Sequence, residues 1–276
     1  MHTAFKTFQL TVKHSNDQRL FTMKSIFTIL LLINTIFVSA QRSVGTNTII
    51  KGVSIQFTYS PSVFPDLWLT APINARGEAI NSPEIERTKQ VMAKTLAKYP
   101  DIVLHNELRA VYFLRSMSMY DVPFGGTNSN DALYLTNNGA ENNYSDWYIE
   151  QTFHHEFSSI LFRNHSSLID TVAWKAANIA GFDYNDPEAG VGAIRNNESS
   201  QETDTALCSK GFLTQYAYSG IENDINTLAQ NLFKPADGFW NIVNSYPGIK
   251  QKVNLLMKFY YRINPAFTRK FFMEMK

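Results

Sequence analysis

The sequence is poor in the residues that mark specialised structural classes. Its 276 residues include one cysteine, 13 glycines and 10 prolines. The single cysteine, Cys208, cannot form an internal disulfide, so the stability of the fold must come from packing. The low glycine and proline content excludes collagen-like and low-complexity chains. The composition is that of an ordinary globular protein, and Cys208 is interpreted as a small buried hydrophobic residue.

Long apolar runs are also scarce, and the one that stands out lies near the N-terminus. It starts at Met23-Lys24-Ser25, continues from Ile26 to Val38 and ends at Ser39-Ala40. A short basic start, a short apolar core and a small-residue end are typical of a secretory signal peptide, and no charge cluster follows Ala40 to stop transfer. We therefore predict an N-terminal extension over residues 1–22, with Met23 as the start, and a cleaved signal peptide over residues 23–40.

The predicted mature chain, residues 41–276, has no excess of charge of either sign. Cleavage removes four basic residues and one acidic residue, which changes the net charge from +1 to −2. No basic excess remains to indicate nucleic-acid binding. Gln41 follows the cleavage site where a lipoprotein would need cysteine. We expect one exported, soluble, monomeric domain, periplasmic or secreted, with no membrane span after cleavage.

The first half of the chain has mostly strand-like patterns with one capped helix. Alternating or β-branched runs predict strands, Ser82-Pro83-Glu84 opens a helix, and Gly125-Gly126 predicts a turn. The predicted elements are strands at 48–50 and 53–59, a helix at 82–98, one long strand or two short ones over 102–104 and 108–114, a turn at 125–128 and a strand at 131–136.

The second half is mostly helical. Ser145-Asp146 caps a helix in which Ile149, Phe153 and Phe157 recur at helical spacing. A loop is predicted over 181–202, followed by helices over 221–233 and 248–263. Strands with one helix first, and helices afterwards, predict an α+β fold with a small mixed sheet and C-terminal helices.

The capped helix carries a partial metal-binding motif. A zincin helix contains His-Glu-x-x-His, in which two imidazoles four residues apart reach one Zn²⁺ and the glutamate polarises the bound water. His155 and Glu156 occupy its first two positions, but Ser159 stands where the second histidine belongs. A serine hydroxyl is a poor substitute for imidazole, so the motif alone does not complete a zinc site.

The small number of histidines limits the ways to complete the zinc site. Of six histidines, His2 and His14 lie in the N-terminal residues that are predicted to be absent from the mature chain. His154 points about 100° around the helix from His155, and an unbroken helix places His165 roughly 15 Å further along its axis. An acidic ligand from a later helix remains as the third alternative.

That alternative has a candidate segment from Gly211-Phe212 through Tyr216-Ala217 to a helix start containing Glu222 and Asp224. Together with residues 152–161, it resembles the exported zinc-binding metallopeptidases associated with substrate import in Bacteroidetes, distant relatives of the lethal-factor gluzincins. The resemblance implies a single zincin-like domain of the gluzincin type.

The resemblance also implies roles for individual residues. His155 and Glu222 would bind zinc, Glu156 would be the general base and Tyr216 would donate to the oxyanion. Asp224 is the alternative to Glu222 and Tyr218 is the alternative to Tyr216, since the register is open by two residues. The strand Asp131–Leu135 would be the sheet edge on which an extended peptide lies.

Two functions follow from these patterns. The first is an exported zinc metallopeptidase with a degenerate motif, acting on a peptide or protein substrate. The alternative is a catalytically inactive protein of the same fold that binds peptide or a surface partner in nutrient uptake. The chain lacks a phosphate-binding glycine loop and the glycine-flanked elbow of serine hydrolases. Acidic residues of the long loop, Asp183, Asp186 and Glu188, are the first place to look for a carboxylate pair.

Overall fold

The structure, a computed structural model, describes residues 47–184 and 189–275. The strands in this part are β1 (Asn47–Ile50), β2 (Val53–Gln56), β3 (Arg76–Ala79), β4 (Ala110–Met119), β5 (Val122–Pro123), β6 (Gly126–Asn128) and β7 (Ala132–Thr136). The α-helices are α1 (Ser82–Leu96), α2 (Asp101–Glu107), α3 (Asp146–Asn164), α4 (Thr171–Ala176), α5 (Ala189–Arg195), α6 (Thr205–Cys208), α7 (Ile221–Phe233), α8 (Phe239–Ser245), α9 (Pro247–Ile263) and α10 (Arg269–Met273). The predicted α+β class, with a mixed sheet and helices concentrated in the second half, is confirmed.

The sheet is mixed, with the order β1-β2-β4-β7-β6. The long strand β4 pairs in parallel with β2 and with β7 through its first half, and antiparallel with β3 through its second half. Parallel strands are usually buried on both faces, so they read as continuous apolar runs. The strand β7, Ala132–Thr136, fits this rule because all five of its residues are buried.

The edge of the sheet beside the long helix α3 is β6, not β7. The predicted edge at 131–135 is therefore wrong, since β7 pairs with β4 on one side and with β6 on the other. The glycines at 125 and 126 were read as a turn, but Gly126–Asn128 adds a short strand there. Pairing between strands that are separated in the sequence determines which strand forms the edge, and the local turn residues do not indicate that pairing.

The two faces of the sheet support separate apolar clusters. Side chains alternate along each strand, so Val111 and Phe113 of β4 point to the helical side, and Leu114 points to the opposite side. On the helical side α3 packs against the sheet, and α7 packs against α3. On the other side, residues 61–75 cover Tyr134 with Phe64 and Trp68.

The long helix α3 begins as the sequence predicts. Ser145 is its N-cap and accepts a hydrogen bond from the backbone N–H of Tyr148 at 3.1 Å. The helix α7 has the predicted bounds, Ile221–Phe233.

Two short helices contradict the sequence predictions. Residues 102–104 were expected in a strand but lie in α2, which starts directly after Pro100 with Asp101 in its first turn. A β-branched run can form one short helix when a proline starts it. The predicted loop 181–202 contains α5, Ala189–Arg195.

Several predictions fall outside the described residues. The N-terminal extension 1–22, the signal peptide 23–40 and the loop acids Asp186 and Glu188 are among them, and they remain predictions. Within residues 47–184 and 189–275, no helix combines the length and apolar character needed to cross a bilayer.

Candidate functional site

The cleft beside α3 brings the predicted site residues together. His155, Glu156, Tyr216 and Glu222 all line one cavity of about 400 Å³, here called the central cavity. It is enclosed by β6, α3, α7 and the residues before α7. The described residues that line it are Phe124, Gly126, Thr127, Asn128, His155, Glu156, Ser159, Tyr184, Gly190, Tyr216, Gly220, Ile221, Glu222, Asn223 and Asn226.

A larger space of about 980 Å³, here called the large cavity, opens from the same residues. His155, Glu156 and Tyr216 line both cavities. One wall of the large cavity is formed by residues 122–126 together with Trp147, and the opposite wall by residues between Ile194 and Thr203. The cleft therefore extends along the sheet edge on both sides of His155 and Glu156.

His155 is held by α7. It is 8% exposed, and its Nδ1 lies 2.7 Å from Oε1 of Gln230. Because a carbonyl oxygen only accepts, Nδ1 donates this bond and Nε2 keeps its lone pair. Burial lowers the pKa of His155 to about 4, although the bond to Gln230 opposes that shift. The imidazole is therefore neutral at pH 7, with Nε2 free of any hydrogen-bond partner in the described residues.

Glu156 lies directly against the sheet edge. Its Oε2 accepts a hydrogen bond from Asn128 Nδ2 at 2.6 Å, and a side-chain carbon added to Gly126 would lie only 2.8 Å from Oε1. Burial raises the pKa of Glu156 to about 7; Asn128 opposes the shift, Glu222 adds to it and the charge of Arg163 opposes it. Such a carboxyl can give or take a proton near neutral pH.

Tyr216 closes the cleft from the other side. Its ring packs against His155 with 5.9 Å between the ring centroids, and its hydroxyl lies against Gly190. Burial and the negative charges of Glu156 and Glu222 raise the pKa of its hydroxyl, so the phenol stays protonated. Tyr218, the alternative, packs instead against Phe182 and Phe212 and does not line the central cavity.

The two acidic candidates on α7 have different surroundings. Glu222 lines the central cavity, and its Oε1 accepts a hydrogen bond from Arg163 at 3.2 Å. Asp224 is fully buried and forms an ion pair with Lys252, which is also fully buried. Trp174 and Tyr184 also donate to Asp224 Oδ2. Asp224 therefore has a structural role in the core, and Glu222 is the acid that faces the cavity.

The interface of α3 and α7 is a row of polar contacts, here called the polar ladder. Its rungs are Gln151 with Gln230, His155 with Gln230, Ser159 with Asn226, and Arg163 with Glu222. Positions four residues apart share one helix face, so two antiparallel helices present matched rungs. Polar residues recur every four positions in both helices, and that signal was visible in the sequence. The pairing itself joins residues about 60 to 80 positions apart, and the sequence does not specify it.

Ser159, the residue that breaks the motif, belongs to this ladder. Its Oγ accepts a hydrogen bond from Asn226 Nδ2 at 2.6 Å, and both residues are buried. Sequence motifs do not identify Asn226, Gln230 or Asn128, although these residues contact Ser159, His155 and Glu156 respectively. The other histidines lie elsewhere: His154 contacts Tyr99, and His165 contacts Glu107.

The donor set does not suit a catalytic zinc ion. Such sites usually combine three histidine, carboxylate or thiolate ligands with a water molecule. Here His155 offers one imidazole, Glu222 is paired with Arg163, and Ser159 and Asn226 satisfy each other. Among the described residues, no three His, Cys, Asp or Glu side chains come together in a metal-binding arrangement.

Comparisons with known proteins give one distant similarity. No protein-family model matches the sequence, and no curated protein matches it. A solved structure with some likeness is that of a putative zinc-binding metallo-peptidase from Bacteroides caccae, with 15% sequence identity and a TM-score of 0.45 over 68% of this chain and 73% of that chain. Similarity this low does not establish a shared fold, so the zincin-like architecture, zinc and peptidase activity remain predictions for this chain.

Proposed function

We propose that the chain binds an extended peptide as an added strand along β6, in a cleft that does not hold a catalytic zinc ion. The open edge of β6 beside His155 and Glu156 is the observation that carries this proposal. It corresponds to the non-catalytic alternative predicted from the sequence.

The hydrogen-bond pattern defines which backbone groups are free. Gly125 O accepts from Thr136 N and Ser129 N donates to Ala132 O, so residues 125, 127 and 129 face β7. Alternate residues of a strand point their N–H and C=O groups to opposite sides. The backbone groups of Gly126 and Asn128 therefore face away from the sheet, and neither has a backbone partner there in the described residues.

An unpaired strand edge is a template for another strand. Peptides that add to a sheet edge gain affinity from main-chain hydrogen bonds and specificity from pockets for alternate side chains. Both cavities lie along β6, so such pockets are present: Gly126 lines both of them, and Asn128 lines the central one.

A library of fluorescent random octapeptides, screened in the presence of EDTA, tests this proposal. Each binder is then remade with one N-methylated amide at a time. Methylation at every second position is expected to abolish binding, because only alternate amides face β6. Tolerance of methylation at all positions, or a library without binders, would overturn the proposal.

Hydrolysis of the bound peptide is the second candidate function. It is favoured by Glu156, whose pKa of about 7 suits a general base, with Tyr216 as a hydroxyl donor in the same cavity. Mass spectrometry of bound peptides tests it, together with elemental analysis for zinc. Intact peptides and well under one equivalent of zinc are expected. Cleavage that disappears in Glu156→Gln would establish the peptidase instead.

A further inference from the structure

We infer that the central cavity receives a positively charged ammonium group of the bound peptide. This inference rests on the proposed peptide-binding function and specifies what the peptide must carry. The ammonium group belongs either to a lysine side chain or to the free amino terminus.

The charge of the cavity favours a cation. Glu156 and Glu222 are the charged residues among the described ones that line it, and both are acidic. Arg163 bonds to Glu222 Oε1 but lines a separate cavity of about 620 Å³ on the other side of Asn128. Arg163 therefore offsets part of the acidic charge from outside, but no basic residue stands in the described lining of the central cavity.

Its unused hydrogen-bonding atoms are mainly acceptors. Asn226 is 1% exposed, and its Oδ1 is fully buried without a partner. Glu156 Oε1, Glu222 Oε2 and His155 Nε2 also have no hydrogen-bond partner among the described residues. A buried acceptor without a donor, such as Asn226 Oδ1, is costly, and the other three atoms are acceptors that line the same cavity, so this set favours a ligand rich in donors.

An ammonium group matches these atoms in number and kind. It carries three N–H donors and no acceptor, and its bonds to carboxylates are among the strong hydrogen bonds of proteins. An extended peptide on β6 points alternate side chains towards α3, so one side chain or the chain terminus reaches the cavity. A carboxylate or phosphate would instead face Glu156 and Glu222 with like charge.

Four fluorescent octapeptides of identical backbone test the inference by anisotropy, with EDTA present throughout. The first has an acetylated terminus and a central lysine, the second has norleucine in place of that lysine, the third has acetyl-lysine there, and the fourth combines norleucine with a free terminus. We expect the lysine peptide, the free-terminus peptide or both to bind about tenfold more tightly than the two uncharged peptides, which carry acetyl-lysine or norleucine behind an acetylated terminus. This difference corresponds to one charge-assisted hydrogen bond.

Matched variants locate the ammonium group. Glu222→Gln is expected to remove the tenfold preference of the charged peptide over its norleucine counterpart. Glu202→Gln removes an acid that lines the large cavity only, so it should keep the preference. Equal binding of all four peptides would overturn the inference and leave the proposed function standing. A preference that survives Glu222→Gln would also overturn it, and so would a preference that requires added zinc. Failure of every peptide to bind would overturn the proposed function, and the inference with it.

Discussion

Two His/Glu pairs on the same helix, α3, have opposite surroundings. His154 and Glu150 face the core, where the ring of His154 stacks on Phe233 and Glu150 forms an ion pair with Lys98 at 2.6 Å. His155 and Glu156 face the cleft. Successive residues of a helix point about 100° apart, which is enough to separate core from cleft. The same residue types are therefore structural on one face and available to a ligand on the other.

The pKa values of the two glutamates show the difference most clearly. Burial disfavours the charge of Glu150, but the neighbouring side chains of His154 and Lys98 outweigh it and lower its pKa to about 2. Glu156 has no cation in direct contact, and its pKa rises to about 7. The core face thus stabilises its charge, and the cleft face leaves its charge unstabilised, as unliganded binding sites often do.

The largest expected effect comes from supplying the cleft face with the ligands it lacks. Ser159→His combined with Asn226→Glu places an imidazole four residues from His155 and a carboxylate opposite it. We expect the double variant to bind one zinc ion, at least about a hundredfold more tightly than the parent, because the two added ligands and His155 together make three. Isothermal titration with zinc measures this. Asn226→Glu alone is the control, and a parent that already binds one equivalent would contradict our account of the donor set.

Replacing each of the two histidines with alanine should lower the free energy of unfolding by different amounts, because one faces the core and the other faces the cleft. His154→Ala removes the bond to Tyr99 and the contact with Phe233 in a fully buried position, so we expect a loss of about 3 kcal/mol. His155→Ala should cost about 1 kcal/mol, because one hydrogen bond is lost beside an open cavity. Urea unfolding measures both. Equal losses would show that the two faces do not differ as described.

The shifted pKa values of Glu156 and Glu150 predict opposite effects of pH on the stability of the fold. The folded-state pKa of Glu156, about 7, lies above its unfolded value of 4.5, so the folded state binds more protons between these values and stability falls as pH rises. Glu156→Gln removes this penalty and keeps an acceptor for Asn128. We expect it to raise the free energy of unfolding by about 2 kcal/mol at pH 8 and to have little effect at pH 4.

Glu150→Gln is the matched control on the core face. The folded-state pKa of Glu150, about 2, lies below its unfolded value, so its contribution to stability is present above pH 4.5 and is lost as pH falls towards 2. This variant should lower the free energy of unfolding by about 2 kcal/mol at pH 7. If both variants shift stability in the same direction at pH 8, the assigned surroundings are wrong.

The smallest expected effect compares two adjacent serines. Ser159→Ala leaves Asn226 without its partner and should cost about 1 kcal/mol. Ser158 Oγ is buried without a hydrogen-bond partner in the described residues, so Ser158→Ala should change stability by less than about 0.5 kcal/mol. Thermal unfolding of both variants checks the difference. A larger loss from Ser158→Ala would contradict the hydrogen-bond assignment.

Local sequence signals predicted the elements that local chemistry determines. The cap at Ser145 and the apolar periodicity that follows predicted α3, and Ile221–Phe233 was predicted with its observed bounds. The helix Asp101–Glu107 was missed because its apolar run resembles a strand. The edge strand β6 was missed because pairing with β7, and not its own glycines, determines its structure.

The site was predictable in part for the same reason. The His155-Glu156 pair stands out in one helix, and Tyr216 and Glu222 follow from the family resemblance; all four line the central cavity. Their assigned roles remain predictions. Asn128, Asn226 and Gln230 come from other elements and carry no motif, so only the packing of α3 against α7 and β6 identifies them.

Residue-resolved amide hydrogen exchange, recorded by NMR with EDTA present, tests the central claim most directly. Addition of a bound peptide from the library should slow exchange at Gly126 and Asn128, because their outward amides become paired, while Thr127, already directed at β7, should change little. Binding that leaves both amides unprotected, or that requires zinc, would contradict the account.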